Sequence, residues 1–150
     1  MRASLRAVVV LALLAVSAVA VAQTTDASGQ GLLRFMPQRL DGHARQDPTA
    51  YSSFATAAYR LDGGVIATLQ IHEVRGAGAA EYQQSRCTRR RAIHGHEACV
   101  SERPGTVSLV WVFSDAIQVM LGAPDEATAV AMAQGLDLAA IAALAATIAG

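Results

Sequence analysis

The stretch TVSLVWVFSDAIQVMLG, residues 106–122, leaves this chain little freedom. Val107, Leu109, Trp111 and Phe113 recur at every second position, and Ile117, Val119 and Leu121 do so after Ser114-Asp115. A period of two is that of a strand with one face buried. A connection so short forces the two segments to lie side by side and antiparallel.

A second hairpin is expected upstream. In VIATLQIHEV, residues 65–74, Val65, Ala67, Leu69 and Ile71 share one face while Thr68 and Gln70 point to the other. YSSFATAAYR, residues 51–60, precedes it, and Asp62-Gly63-Gly64 supplies the turn. Pro104-Gly105 marks a further turn, linking residues 106–113 to an earlier strand near 95–101.

Helical signals fill the gaps. Residues 77–86, AGAAEYQQSR, are good helix formers without a β-branched residue. In PDEATAVAMAQG, Pro124, Asp125 and Glu126 suit a first turn and Gly135 a stop. Asp137 caps LAAIAALAATIA, whose Leu138, Ile141, Ala145 and Ile148 form one stripe. Around Pro37, Leu32, Leu33, Phe35, Met36 and Leu40 make a short packed segment ending near Asp41-Gly42, and HARQDPT from His43 reads as a connection. The expected architecture is α+β: a small, mostly antiparallel sheet of about five strands in two hairpins, with helices on one face and a helical C-terminus.

The amino-terminal residues have a different logic. Arg2 and Arg6 precede an apolar stretch at 7–16, and small residues follow as Ala18-Val19-Ala20 and Ala20-Val21-Ala22. These are the parts of a secretory signal peptide, with cleavage expected after Ala22. A retained anchor is the lesser reading, because the uncharged run at 7–22 falls short of the roughly 20 residues that span a bilayer. The expected organisation is a signal peptide at 1–22, a flexible leader at 23–31 (QTTDASGQG) and one α+β domain at 32–150. Location would be periplasmic or secreted, with no membrane span once the signal is removed. The whole chain carries twelve basic and twelve acidic residues; losing Arg2 and Arg6 leaves about two net negative charges. Such a balance provides no field for capturing nucleic acid.

Concentrated chemistry occurs in CTRRRAIHGHEAC, residues 87–99, which holds both cysteines. In an oxidising compartment two cysteines in a small domain pair, so a Cys87–Cys99 disulfide is expected. Zinc is the rival, with Cys87, His94, His96 and Cys99 as four conceivable ligands. The spacing matches no common structural zinc pattern, and in an extended strand Cys99 would point away from His94 and His96. A catalytic redox pair is weaker, because thiol oxidoreductases use C-x-x-C at a helix N-terminus. Arg86, Arg89, Arg90 and Arg91 form a candidate contact for a phosphate- or carboxylate-bearing partner. The competing reading is a solvated face in which Glu97 and Glu102 pair with them. His94 and His96 read as exposed loop residues.

No catalytic constellation assembles from sequence. There is no G-x-S-x-G, H-E-x-x-H or phosphate-cradling glycine loop. His72 and Glu73 are adjacent in a strand and so lie on opposite faces, and His43 has no nucleophile beside it. No motif assigns a family, and no cofactor or metal is implied. The expectation is a non-catalytic binding module, leaning away from an enzyme, whose exposed sheet face bearing Thr68, Gln70, Ser108 and Gln118 meets an envelope partner or anionic ligand. The alternatives are a small metal-binding protein using the 87–99 loop, and an envelope hydrolase whose site assembles only in three dimensions.

Overall fold

The computed structural model of the chain describes residues 27–74 and 78–150. The expected signal segment, and residues 23–26 of the expected leader, lie outside these residues. The chain is α+β, as its patterning implies, but the sheet has eight strands and not five. In chain order they are β1 (Arg39–Leu40), β2 (His43–Ala50), β3 (Phe54–Arg60), β4 (Ile66–Glu73), β5 (Arg89–Ile93), β6 (His96–Arg103), β7 (Thr106–Phe113) and β8 (Ile117–Ala123). Their spatial order is β1-β2-β3-β4-β8-β7-β6-β5, all antiparallel. Two four-stranded meanders are thus joined through β4 and β8.

The β7–β8 hairpin shows how burial fixes register. Leu109 faces Leu121, Trp111 faces Val119 and Phe113 faces Ile117. A strict two-residue loop would instead set Trp111 opposite Gln118 and drive Gln118 and Met120 into the core, because a one-residue slip exchanges the faces. The chain avoids this by adding Ala116. Its N–H donates to the Phe113 carbonyl at 2.9 Å, while Ser114 and Asp115 take the left-handed backbone, φ 51° and 50°. Similarly, β3 and β4 pair Ala57 with Leu69 and Ala55 with Ile71 around a turn in which Gly63 and Gly64 have φ of 75° and 80°.

Helices cover the odd-numbered face of β3, β4, β7 and β8. α1 (Gly29–Leu32) begins the packed structure, with Ser28 as its cap, and runs into a 3-10 turn at Leu33–Phe35. Ala27, Gly29 and Leu32 are buried. Gly29 is required sterically, since a Cβ there would stand 1.9 Å from the Tyr51 carbonyl oxygen. α3 (Glu126–Ala133) and α4 (Leu138–Ala149) pack on β7 and β8. Asp125 caps α3 by accepting from the Thr128 N–H at 2.8 Å, and so stands just before the first turn. Asp137 caps α4 through the Ala140 N–H at 3.0 Å. The α4 stripe buries Leu138, Ile141, Leu144 and Ala145, with Ile148 partly covered. Gly135 follows α3 for a packing reason: a Cβ would come within 2.9 Å of Leu40 Cδ2. Among the described residues no single helix is long and apolar enough to cross a membrane.

One helix departs from the expected layering. α2 (Ala79–Gln84) lies on the opposite face of the sheet, where Ala80 and Gln83 border a small cavity with Val110 and Val112 of β7. The three strands absent from the expectation are those whose side chains do not alternate. β2 is polar and irregular: its register with β3 shifts between Gln46 and Thr49, across Asp47 (φ 47°) and Pro48. β1 is only two residues long, and β5 is mostly arginine.

Candidate functional site

Two regions compete as the site, the cysteine segment and the open face. In the first, Cys87 and Cys99 are joined by a disulfide, with Cα atoms 5.2 Å apart. It ties the chain leaving α2 to β6. A 13-residue loop closed in this way contributes about 3 kcal/mol under the chain-entropy model.

The arginine run does not form one patch. Arg86 lies in the turn after α2, its N–H donating to the Gln83 carbonyl. Arg89, Arg90 and Arg91 are in β5, where successive side chains leave on opposite faces. Arg89 and Arg91 sit on the helix side and Arg90 on the other. Arg89 pairs with both Glu102 and Glu126, Arg91 reaches Glu126 at 3.7 Å, and Arg90 pairs with Glu97. The Arg89 hydrogen bond holds the Glu126 carboxyl below its ordinary pKa, and those to Glu126 and then Glu102 raise the guanidinium's. An anionic partner would compete with these carboxylates for the same guanidinium groups.

The four conceivable zinc ligands are likewise dispersed. Both sulfurs belong to the disulfide. His94, in the left-handed β5–β6 turn (φ 49°), bonds through Nε2 to the Gln134 carbonyl oxygen at 2.8 Å. His96 packs edge-on to Phe113, with ring centroids 5.3 Å apart, and so is half-buried and not a loop residue. Among the described residues no group of three or more His, Cys, Asp or Glu side chains converges as a metal would require.

The even-numbered face of β4, β8 and β7 offers the second region. Thr68, Gln70, Ser108 and Gln118 all project from it: Thr68 and Ser108 flank Gly122 on either side, Gln70 faces Met120, and Gln118 faces His72. Each is partly exposed. Thr68, Gln70 and Ser108, though not Gln118, line a depression of about 290 Å³, at the small end of ligand-binding clefts. Its polar lining is Thr68, Gln70, Thr106 and Ser108, and its apolar rim includes Val65, Ile66, Met120 and Pro124. Val65 and Ile66 are 45% and 44% exposed, unusual for large aliphatic side chains. Gly122 leaves a gap in the middle, for a Cβ there would meet nothing closer than 3.8 Å.

The depression continues into a stack of rings. Gln70 Oε1 is 3.3 Å from His72 Nε2. The His72 ring stacks on Phe54 with centroids 4.8 Å apart, and Phe54 stacks on Tyr51 at 4.2 Å. Burial pushes the His72 pKa below its ordinary 6.5. The sequence contained a signal for this stack that motif reading passed over. A turn centred on Gly63 sets Phe54 opposite His72 by counting outward equally, and that pairing is observed.

Comparison of the chain with protein-family models, with curated proteins and with solved structures found no match.

Proposed function

We propose that this protein is an exported, non-catalytic binding module and that the even-numbered face of β4, β7 and β8 is its contact surface. One observation carries the reading. The same three strands bury Leu69, Leu109, Trp111, Val119 and Leu121 on one side, yet on the other hold Thr68, Gln70 and Ser108 partly open around a cleft, with Gln118 partly open further along β8. α2 covers only the Val110–Val112 end of this face; the part left open, lined by hydroxyl and amide groups, suits recognition of a partner. The Cys87–Cys99 bond supports export, because such bonds persist in oxidising compartments.

The test compares capture from envelope extract by the parent protein and two variants. Thr68→Arg fills the cleft and adds a charge, whereas Arg90→Gln alters the segment around the disulfide. The reading expects a component retained by the parent and by Arg90→Gln but lost with Thr68→Arg. Equal capture by all three would overturn it. Export is checked separately: mass analysis of protein from the envelope should give Gln23 as the first residue, and thiol titration should find no free thiol.

A further inference from the structure

We infer that the ligand of the open face is a neutral saccharide chain; the inference rests on the binding-face reading above. Three observations converge on this chemistry. The cleft is lined by side chains that donate and accept hydrogen bonds without carrying charge, namely Thr68, Gln70, Thr106 and Ser108. Hydroxyl groups on a ligand are matched by such an array, while an ionised ligand would leave its charge unneutralised there. Beside these groups stand apolar surfaces. Val65 and Ile66 are exposed at one end, and Tyr51, 51% exposed, closes the ring stack at the other. A sugar ring presents both hydroxyls and C–H faces, so it uses both kinds of surface at once. Finally, the surface is a strip. From Ile66 to His72 along β4 it runs roughly 20 Å, at about 3.3 Å per residue, which is longer than one sugar ring and fits a chain.

Two flanking cations define the main rival. Arg60 faces Ile66 from β3 and Arg103 faces Thr106 from β6, so both flank one end of the cleft without lining it. A chain of uronic acids would engage them. Binding dominated by those arginines would weaken steeply with salt, whereas hydrogen bonding and stacking to a neutral chain would not.

The experiment uses the protein with its disulfide intact, titrated calorimetrically with cellohexaose, maltohexaose and chitohexaose, and in parallel with a polyuronate oligomer and phosphatidylcholine vesicles. The inference expects saturable binding of at least one neutral hexasaccharide, changing less than twofold between 0.05 and 0.5 M salt (test conditions at which screening differs strongly). Tyr51→Ala and Gln70→Ala should each weaken it at least about tenfold, the scale of one lost hydrogen bond or ring contact in a binding site. Circular dichroism melts establish that both variants fold. Failure of all three neutral oligosaccharides to bind, tighter binding of the polyuronate or the vesicles, or indifference to both substitutions would each overturn it. If no saccharide binds while Thr68→Arg still abolishes envelope capture, the saccharide falls and the binding face stands. If Thr68→Arg leaves capture intact, the binding face itself falls.

Discussion

The two sides of β4, β7 and β8 are made from the same residues read alternately, and they do different work. Odd positions give Leu69, Ile71, Leu109, Trp111, Val119 and Leu121, all buried beneath α3, α4 and the amino-terminal turn. Even positions give Thr68, Gln70, His72, Ser108, Gln118 and Met120, none fully buried, and of the even positions only Val110, beside α2, is buried. Stability is concentrated on one side, and the proposed recognition surface lies on the other. Substitutions on the two sides should therefore separate cleanly, and that separation is open to challenge.

The largest expected effect is on the covered side. Leu121→Ala removes a fully buried side chain from the middle of the core and should cost about 2–5 kcal/mol in denaturant unfolding. A cost near zero would show that the helices do not pack as described. Next is the covalent tie on the opposite side. Cys87→Ser with Cys99→Ser should lose about 3 kcal/mol by the loop-entropy argument. The helix-covered core should nevertheless survive, read as near-ultraviolet dichroism from the buried Trp111.

A smaller effect is a pH dependence. His72 has a lowered pKa in the folded state, so the unfolded chain takes up the proton first. Stability should hold above about pH 6.5, the ordinary histidine value, and decline as pH falls toward the folded pKa. His72→Gln should flatten that decline. It should leave a second one below 4.5, where Glu126 loses the benefit of its depressed pKa. Smallest of all is Ser108→Ala on the open side, expected within about 0.5 kcal/mol of the parent. A large loss there would erase the division between the two sides.

Legibility in the sequence followed this same division. β3, β4, β7 and β8 are readable within a few residues, because one buried face imposes a period of two on them. β2 and β5 are not. HARQDPTA and RRRAI bury few apolar side chains, and what holds them is backbone pairing to β3 and β6. A charge run looks identical in sequence whether it crowns a turn or edges a sheet. Here the strand divides it between two faces and gives each arginine of β5 a glutamate. The disulfide was legible from compartment logic alone. The helical nature of α2 was legible too, but which side of the sheet it would cover was not, since nothing in AGAAEYQQSR specifies a face.

The arginines that first suggested a ligand acquire another meaning from their place at the margin. An outermost strand offers unfilled N–H and C=O groups to any passing extended chain. On one border, guanidinium groups tethered on both surfaces of β5 obstruct such an approach. On the other, β2 is broken by a proline-containing bulge and screened over only two residues by β1. Fibrillar growth by strand addition is thus opposed at both limits of the sheet, and the chain can pass through partly unfolded states without seeding its own polymerisation.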